Sequence, residues 1–139
     1  MEIFGQNNNI KMIDGVIISK LKIIEDERGS VMHMLRNDSD VFKKFGECYI
    51  SEINSGFVKA WKKHNVQTQN FSVPFGRIKL VIYDDRKKSN TKENIFSIDL
   101  GRPDNYYRIT IPCGVWYGFT CTSNTSSLIV NCADIPHQS

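Results

Sequence analysis

The sequence has no apolar run approaching the roughly 20 residues that a membrane-spanning helix needs. Its start, MEIFGQNNNIKMIDG, lacks a basic stretch followed by an apolar one, so it does not read as a secretory leader. A cytoplasmic protein with no membrane association is expected. Charge of one sign is also scarce: 18 Lys and Arg against 15 Asp and Glu leave a net charge of +3. That excess is too small for the footprint of a nucleic-acid binder. The four cysteines, Cys48, Cys113, Cys121 and Cys132, stand far apart with no Cys-x-x-Cys pair. This excludes the common zinc and redox spacings and predicts reduced thiols packed as small apolar groups. No internal repeat or low-complexity run is present.

What is there suits one compact domain over residues 1–139. Short segments rich in β-branched and aromatic residues recur: 16–24, 30–36, 47–53, 76–86, 94–100, 106–112, 114–121 and 126–134. Turn clusters separate them: DERG, NSG, RKKSNTKEN, GRPDN and TSNTSS. One window, RNDSDVFKKFGE (36–47), carries a short helix signal, with Asp38, Ser39 or Asp40 as N-cap and Gly46 as stop. Many short strands with little helix predict an all-β sandwich or barrel, and the eight-stranded jelly roll is one such architecture that encloses a ligand cavity.

The stretch NSGFVKAWKKHNVQTQNFSVPFG (54–76) concentrates Trp61, Lys62, Lys63 and His64 between two glycines. If it is extended, alternation puts Lys62 and His64 on one face and Lys59, Trp61 and Lys63 on the other. Its frame reads Gly56, five residues, Lys62, Lys63, His64, four residues, Gln69, six residues, Gly76. A second frame reads Pro112, Cys113, Gly114, Val115, Trp116, Tyr117. Both resemble the two motifs of the cupin superfamily, with the metal-ligand positions changed. Only His64 is a good transition-metal ligand among Lys62, His64, Gln69 and Tyr117, and one imidazole does not make a site. No metal and no cofactor are expected.

The order DERGS (26–30), GFVKAW-K-H (56–64), YDDRKKSNTKENI (83–95), IPCGVWYGF (111–119) and IVNCAD (129–134) resembles the RmlC-like cupins. These are the dTDP-4-dehydrorhamnose 3,5-epimerases and the related sugar-nucleotide 3,4-ketoisomerases. The resemblance implies a metal-free jelly-roll homodimer acting on a nucleotide-linked 4-keto deoxysugar, most simply a dTDP-sugar, in surface-polysaccharide biosynthesis. By that resemblance Lys62 takes the place of the epimerase base histidine, Gln69 that of a lysine, and Tyr117 that of a histidine. His64 matches the second His of the ketoisomerase His-x-His pair. The epimerase tyrosine acid has no counterpart in 129–134.

Proton abstraction beside a ketone needs a base and a donor. Lys62 or His64 can serve as base and Tyr117 as acid, with Tyr49 on the strand before as a second candidate for the acid. Tyr49, Lys59, Trp61, Gln67, Gln69, Trp116 and Asn131 are candidate substrate contacts, and the resemblance implies Arg28 as a candidate contact to a phosphate or the base across a dimer interface. Each has a structural alternative. Lys62 and His64 can simply hold a diphosphate, Trp116 can be core, and Arg28 can pair with an acid at its turn. His33 and His137 carry no motif and read as structural or surface residues. Asp84, Asp85 and Arg86 read as strand-end ion pairs. Three functions therefore stand: an isomerase, a non-catalytic nucleotide-sugar binder, and a lectin-like sugar binder.

Overall fold

The structure, a computed structural model, describes residues 11–137. The first ten residues, read above for a leader, lie outside the described part. Eleven strands follow in order: β1 (Ile17–Lys20), β2 (Ile23–Asp26), β3 (Gly29–Met32), β4 (Glu47–Ile53), β5 (Val58–Lys63), β6 (Gln69–Phe75), β7 (Arg77–Tyr83), β8 (Ile95–Gly101), β9 (Tyr107–Ile111), β10 (Trp116–Cys121) and β11 (Ser127–Ala133). They form a five-stranded sheet, β1-β9-β6-β11-β4, a four-stranded sheet, β5-β10-β7-β8, and the β2–β3 hairpin. All the pairings are antiparallel. This is the all-β jelly roll that the segment pattern admits and that the cupin resemblance implies.

The core lies between the two large sheets. Ile53, Phe71, Val73, Ile109, Ile111 and Ile129 of the first meet Ile78, Leu80, Ile82, Phe96, Leu100, Tyr117 and Phe119 of the second. Phe71 meets both Tyr117 and Phe119 edge-on, at centroid separations of 5.2 and 6.5 Å. Such pairs add about 0.5–1.5 kcal/mol each beyond their buried area. β4 and β5 are the outer strands of the two sheets and are not paired to one another, so the sandwich opens along that side.

Three expectations change. Among the described residues 36–47 form no helix. Asp38 is held by Arg36 through a two-pronged contact of 2.8 Å on each arm. Ser39 turns back to accept from the Arg36 amide at 3.1 Å. These bonds favour tight turns, and a segment this short cannot repay helix nucleation. The segment 16–24 divides at Leu21–Lys22, where the Leu21 amide bonds to the Tyr106 carbonyl. The segment 30–36 leaves its strand after Met32, because the His33 and Met34 carbonyls accept from the Tyr106 hydroxyl and the Arg108 guanidinium at 2.8 Å each.

β6 was not foreseen as a strand. Its Gln, Asn, Ser and Pro are weak strand formers, yet Gln69 to Val73 are buried at the centre of the five-stranded sheet. Its polar groups are mostly bonded there: Asn70 Oδ1 accepts from the Thr110 hydroxyl at 2.7 Å, and Asn70 Nδ2 donates to the Cys132 carbonyl at 3.3 Å. The β6–β7 turn ends the first motif at Gly76. Its φ of +82° and the Ser127 hydroxyl 2.2 Å from where a Cβ would sit leave no room for a side chain.

The cysteines pack less uniformly than expected. Cys121 is buried, Cys48 is exposed, and Cys113 and Cys132 lie between. Cys48 and Cys132 are directly opposed across β4 and β11, with 3.4 Å between sulfurs. Burial pushes the Cys132 thiol up to about 12, reinforced by Cys48.

Candidate active site

A cavity of about 430 Å³ opens between the two sheets at the β4–β5 side. Tyr49 and Ser51 line it from β4, residues 59–62 from β5, Phe71 from β6, Tyr117 and Phe119 from β10, and Ile129 and Asn131 from β11. A second hollow, about 270 Å³, adjoins it and is lined by Glu47, Tyr49, Lys62, His64, Gln67 and His137. Tyr49 and Lys62 belong to both, so they mark the junction.

The register of β5 explains why its lysines converge. Lys62 lies opposite Tyr117 and Lys59 opposite Phe119. Three steps along β5 thus match two along β10, so Ala60 and Trp61 together oppose Gly118, which is a β-bulge. Residues directly opposite in a ladder share a face. Lys59 therefore points inward with Lys62, contrary to simple alternation, and Trp61 also lines the cavity. Gly118 makes the bulge possible: a Cβ there would stand 2.6 Å from the Ala60 Cβ. Lys59 reaches across the open side and donates to the Glu52 carbonyl at 2.6 Å and the Ser51 hydroxyl at 3.3 Å. It ties the two outer strands together at the cavity rim.

Lys63 and Trp116 occupy the opposite face, as alternation on β10 requires once Tyr117 points inward. The Trp116 indole donates to Asp85 at 2.9 Å. Lys63 lies 3.6 Å from the same carboxylate and 5.2 Å from the Trp116 ring centroid. Trp116, a candidate contact from sequence, is thus placed away from the cavity. Arg28 is also elsewhere. It stands in the β2–β3 turn, 85% exposed, paired with Asp26 at 2.6 Å. Within one chain it does not reach the cavity lining.

His64, just beyond β5, stands where the titratable groups of the two hollows meet. Its Nε2 lies 2.9 Å from the Tyr117 hydroxyl, with the rings stacked at 5.7 Å. The His64 carbonyl accepts from the Gly114 amide at 2.7 Å. The second motif thereby fastens the first. Burial lowers the His64 pKa below its ordinary 6.5, and the charges of Lys62 and His137 lower it further, against a small opposing hydrogen bond with Gln67. The imidazole is therefore neutral near pH 7 and holds a lone pair. Burial, then the neighbouring Tyr49, raises the pKa of Tyr117, so its phenol stays protonated. Tyr117 is 3% exposed.

Behind the cavity wall, Asn131 Nδ2 donates to the Tyr49 hydroxyl at 2.8 Å and to Gln69 Oε1. Gln69 donates to Gln67 at 3.2 Å, and Gln67 to the Ile135 carbonyl at 3.0 Å. Gln69 is 1% exposed and stands in this chain rather than at the cavity surface. His137, read as a structural or surface residue, is exposed and lines the second hollow beside His64. No local motif marked it; only the fold brings the chain end there, where the His137 amide donates to Glu47 at 3.0 Å. Among the described residues no three His, Cys, Asp or Glu side chains are grouped so that they could hold a metal ion.

Asp84 and Arg86 form a structural cluster at the end of β7. Asp84 is fully buried and accepts from Arg86, Ser89 and Thr91 at 2.6 to 2.9 Å. The Arg86 guanidinium and these hydroxyls hold its carboxyl well below the usual range, against the cost of burial.

The family described as dTDP-4-dehydrorhamnose 3,5-epimerase matches residues 11–139. The spore coat polysaccharide biosynthesis protein SpsL of Bacillus subtilis is 33% identical over 119 residues, which cover 86% of this chain and 78% of SpsL. The probable low-salt glycan biosynthesis epimerase Agl13 of Haloferax volcanii is 34% identical over 121 residues, 86% of this chain and 77% of its own. The crystal structure of a dTDP sugar isomerase from Desulfovibrio desulfuricans G20 superposes with a TM-score of 0.89 at 50% identity. That match covers 91% of this chain and 81% of the other.

Proposed function

The chain belongs to the dTDP-4-dehydrorhamnose 3,5-epimerase family, and on that premise we propose that it is an isomerase of a nucleotide-linked 4-keto deoxysugar. In this reading residues 1–139 act as one cytoplasmic catalytic domain in surface-glycan assembly, without metal or cofactor. No helix among the described residues is long and apolar enough to cross a membrane.

The observation that carries the reading is the contact between a neutral His64 and the Tyr117 hydroxyl, 2.9 Å apart beside Lys62 and the cavity. His64 is the base that removes the proton beside the ketone. Tyr117 fixes the imidazole through the hydrogen bond at Nε2. Lys62 supplies positive charge to the developing enolate or to the diphosphate. Lys59, Trp61, Gln67 and Asn131 shape the sugar site, and dTDP is the nucleotide favoured by the family.

A homodimer fits the surface. β4 and β5 are outer strands, and Ile50, Phe57 and Val58 are 65%, 65% and 52% exposed on or beside them. In such a dimer Arg28 of one protomer is free to approach the partner's cavity. Incubation with a dTDP-4-keto-6-deoxy sugar in D₂O tests the activity. Deuterium at C3 or C5 supports it, and none counts against it.

A second reading, a nucleotide-sugar binder without catalysis, is favoured by Lys62 and Tyr117 standing where the epimerases carry histidines. It predicts calorimetric affinity for the nucleotide sugar with no exchange.

A further inference from the structure

The hydrogen bonds behind the cavity wall run in one direction, and two backbone groups set it. The Asn70 amide donates to Asn131 Oδ1 at 3.2 Å. An amide N–H cannot accept, so the Asn131 oxygen must face it and the NH₂ must face the other way. That NH₂ serves the Tyr49 hydroxyl and Gln69 Oε1. With its oxygen so engaged, Gln69 offers its own NH₂ to Gln67. Gln67 then offers its NH₂ to the Ile135 carbonyl, which can only accept. An obligatory donor at one end and an obligatory acceptor at the other fix three carboxamides between them.

The consequence falls on Tyr49. Its oxygen already accepts from Asn131, and among the described residues its own proton has no acceptor. Its ring lines both hollows and is 37% exposed. Tyr117 is the opposite case: it is buried, and His64 occupies its hydroxyl. Tyr49 also stands on β4 of the five-stranded sheet, whereas Lys62 and Tyr117 stand on the four-stranded one, with His64 just beyond it. The base and this unspent donor thus come from facing walls. Inversion at carbon needs that arrangement, because the proton leaves one face of the enolate and returns on the other.

We infer that Tyr49 is the proton donor of the proposed reaction, and that Asn131, Gln69 and Gln67 are positioning residues that aim its O–H into the cavity. The inference rests on the isomerase reading. The base takes the proton beside the ketone, and the C–H pair becomes the enolate. Tyr49 gives its proton to the same carbon from the opposite face, and the enolate pair forms the new C–H bond. The phenolate left behind keeps the Asn131 hydrogen bond and recovers a proton from water at the open side. The base releases its proton to water.

The test uses dTDP-4-keto-6-deoxyglucose in D₂O and follows exchange and inversion separately by NMR. In Tyr49→Phe, inversion falls about 100-fold or more, the scale of a lost acid catalyst, while exchange into unreacted substrate stays within about threefold. Asn131→Asp keeps the shape but replaces the donating NH₂ with an acceptor that draws the Tyr49 proton away from the cavity. The ratio of inversion to exchange there falls about tenfold or more, and adding Tyr49→Phe lowers that ratio no further than Tyr49→Phe alone. Inversion at the wild-type rate in Tyr49→Phe overturns the inference and leaves the isomerase reading standing. Equal loss of exchange and inversion in a variant with unchanged melting temperature also overturns it, since Tyr49 then only seats the substrate. No exchange in the wild type overturns both.

Discussion

The His64 imidazole and the Tyr117 hydroxyl meet at 2.9 Å although 53 residues separate them. The contact closes the two motifs of the fold on one another, with the His64 carbonyl and the Gly114 amide as a second clasp. It also divides the labour of the two aromatic groups: one keeps a lone pair near neutrality, the other keeps its proton. On the proposed mechanism, His64→Gln removes the lone pair that abstracts the proton. Solvent exchange then drops by about 10²–10⁴-fold, measured by deuterium uptake, while nucleotide affinity measured by calorimetry changes little.

On the same mechanism, the acid limb of activity follows His64. Its folded-state pKa lies below 6.5, so the base stays functional until the pH falls under that value. Lys62→Met removes one of the charges that depress it and moves the limb upward. The shift is smaller than the effect of burial, the larger cause. A pH profile of the exchange rate reads both positions.

The same imidazole makes stability depend on pH. The unfolded chain binds the His64 proton more tightly than the folded one. Its contribution is therefore full above the unfolded pKa and declines as the pH falls below 6.5. Asp84 acts in a lower window. Its folded pKa is depressed below 3.8, so its contribution is present above that value and lost as the pH falls through the folded one. Asp84→Asn leaves Arg86 without its charge partner and costs about 3 kcal/mol, measured by urea unfolding at pH 7.

Gly118→Ala forces a methyl group against Ala60, 2.6 Å away. Relief requires the bulge to shift, at a cost of about 1–3 kcal/mol. Because Lys59 and Lys62 owe their common face to that bulge, nucleotide affinity falls as well. Thermal shifts with dTDP, recorded beside those with UDP, GDP and CDP, report both effects.

Much of this molecule was legible from residue patterns. Strand β4 matches its alternating segment, 47–53, and β7 to β11 lie within or one residue beyond theirs. Their β-branched and aromatic residues match a half-buried pleat. The two glycine frames located the cavity wall. β6 escaped because its residues are polar, and what buries them is a set of partners on β9 and β11 far away in sequence. The face of Lys59 escaped because a bulge leaves no mark in composition. Trp116 was placed in the wrong compartment for a related reason: its motif fixes a position in the chain, and only the register with β5 and β7 assigns it to Asp85. His137 has no neighbours in sequence that suggest chemistry, and tertiary contact alone brings it beside His64.

The extra residue in β5 acts as a parity switch for everything on its N-terminal side. Deleting either Ala60 or Trp61 would restore strict alternation with β10. Lys59 and Lys62 would then stand two positions apart and share the inward face without a bulge. Keeping both residues but pairing them regularly with β10 would instead separate the two cations without altering either of them. The charge of the cavity thus depends on the pairing at one point as much as on the lysines themselves, and a chain of the same length that lacked the bulge would carry the equivalent residues on opposite sides of the same wall.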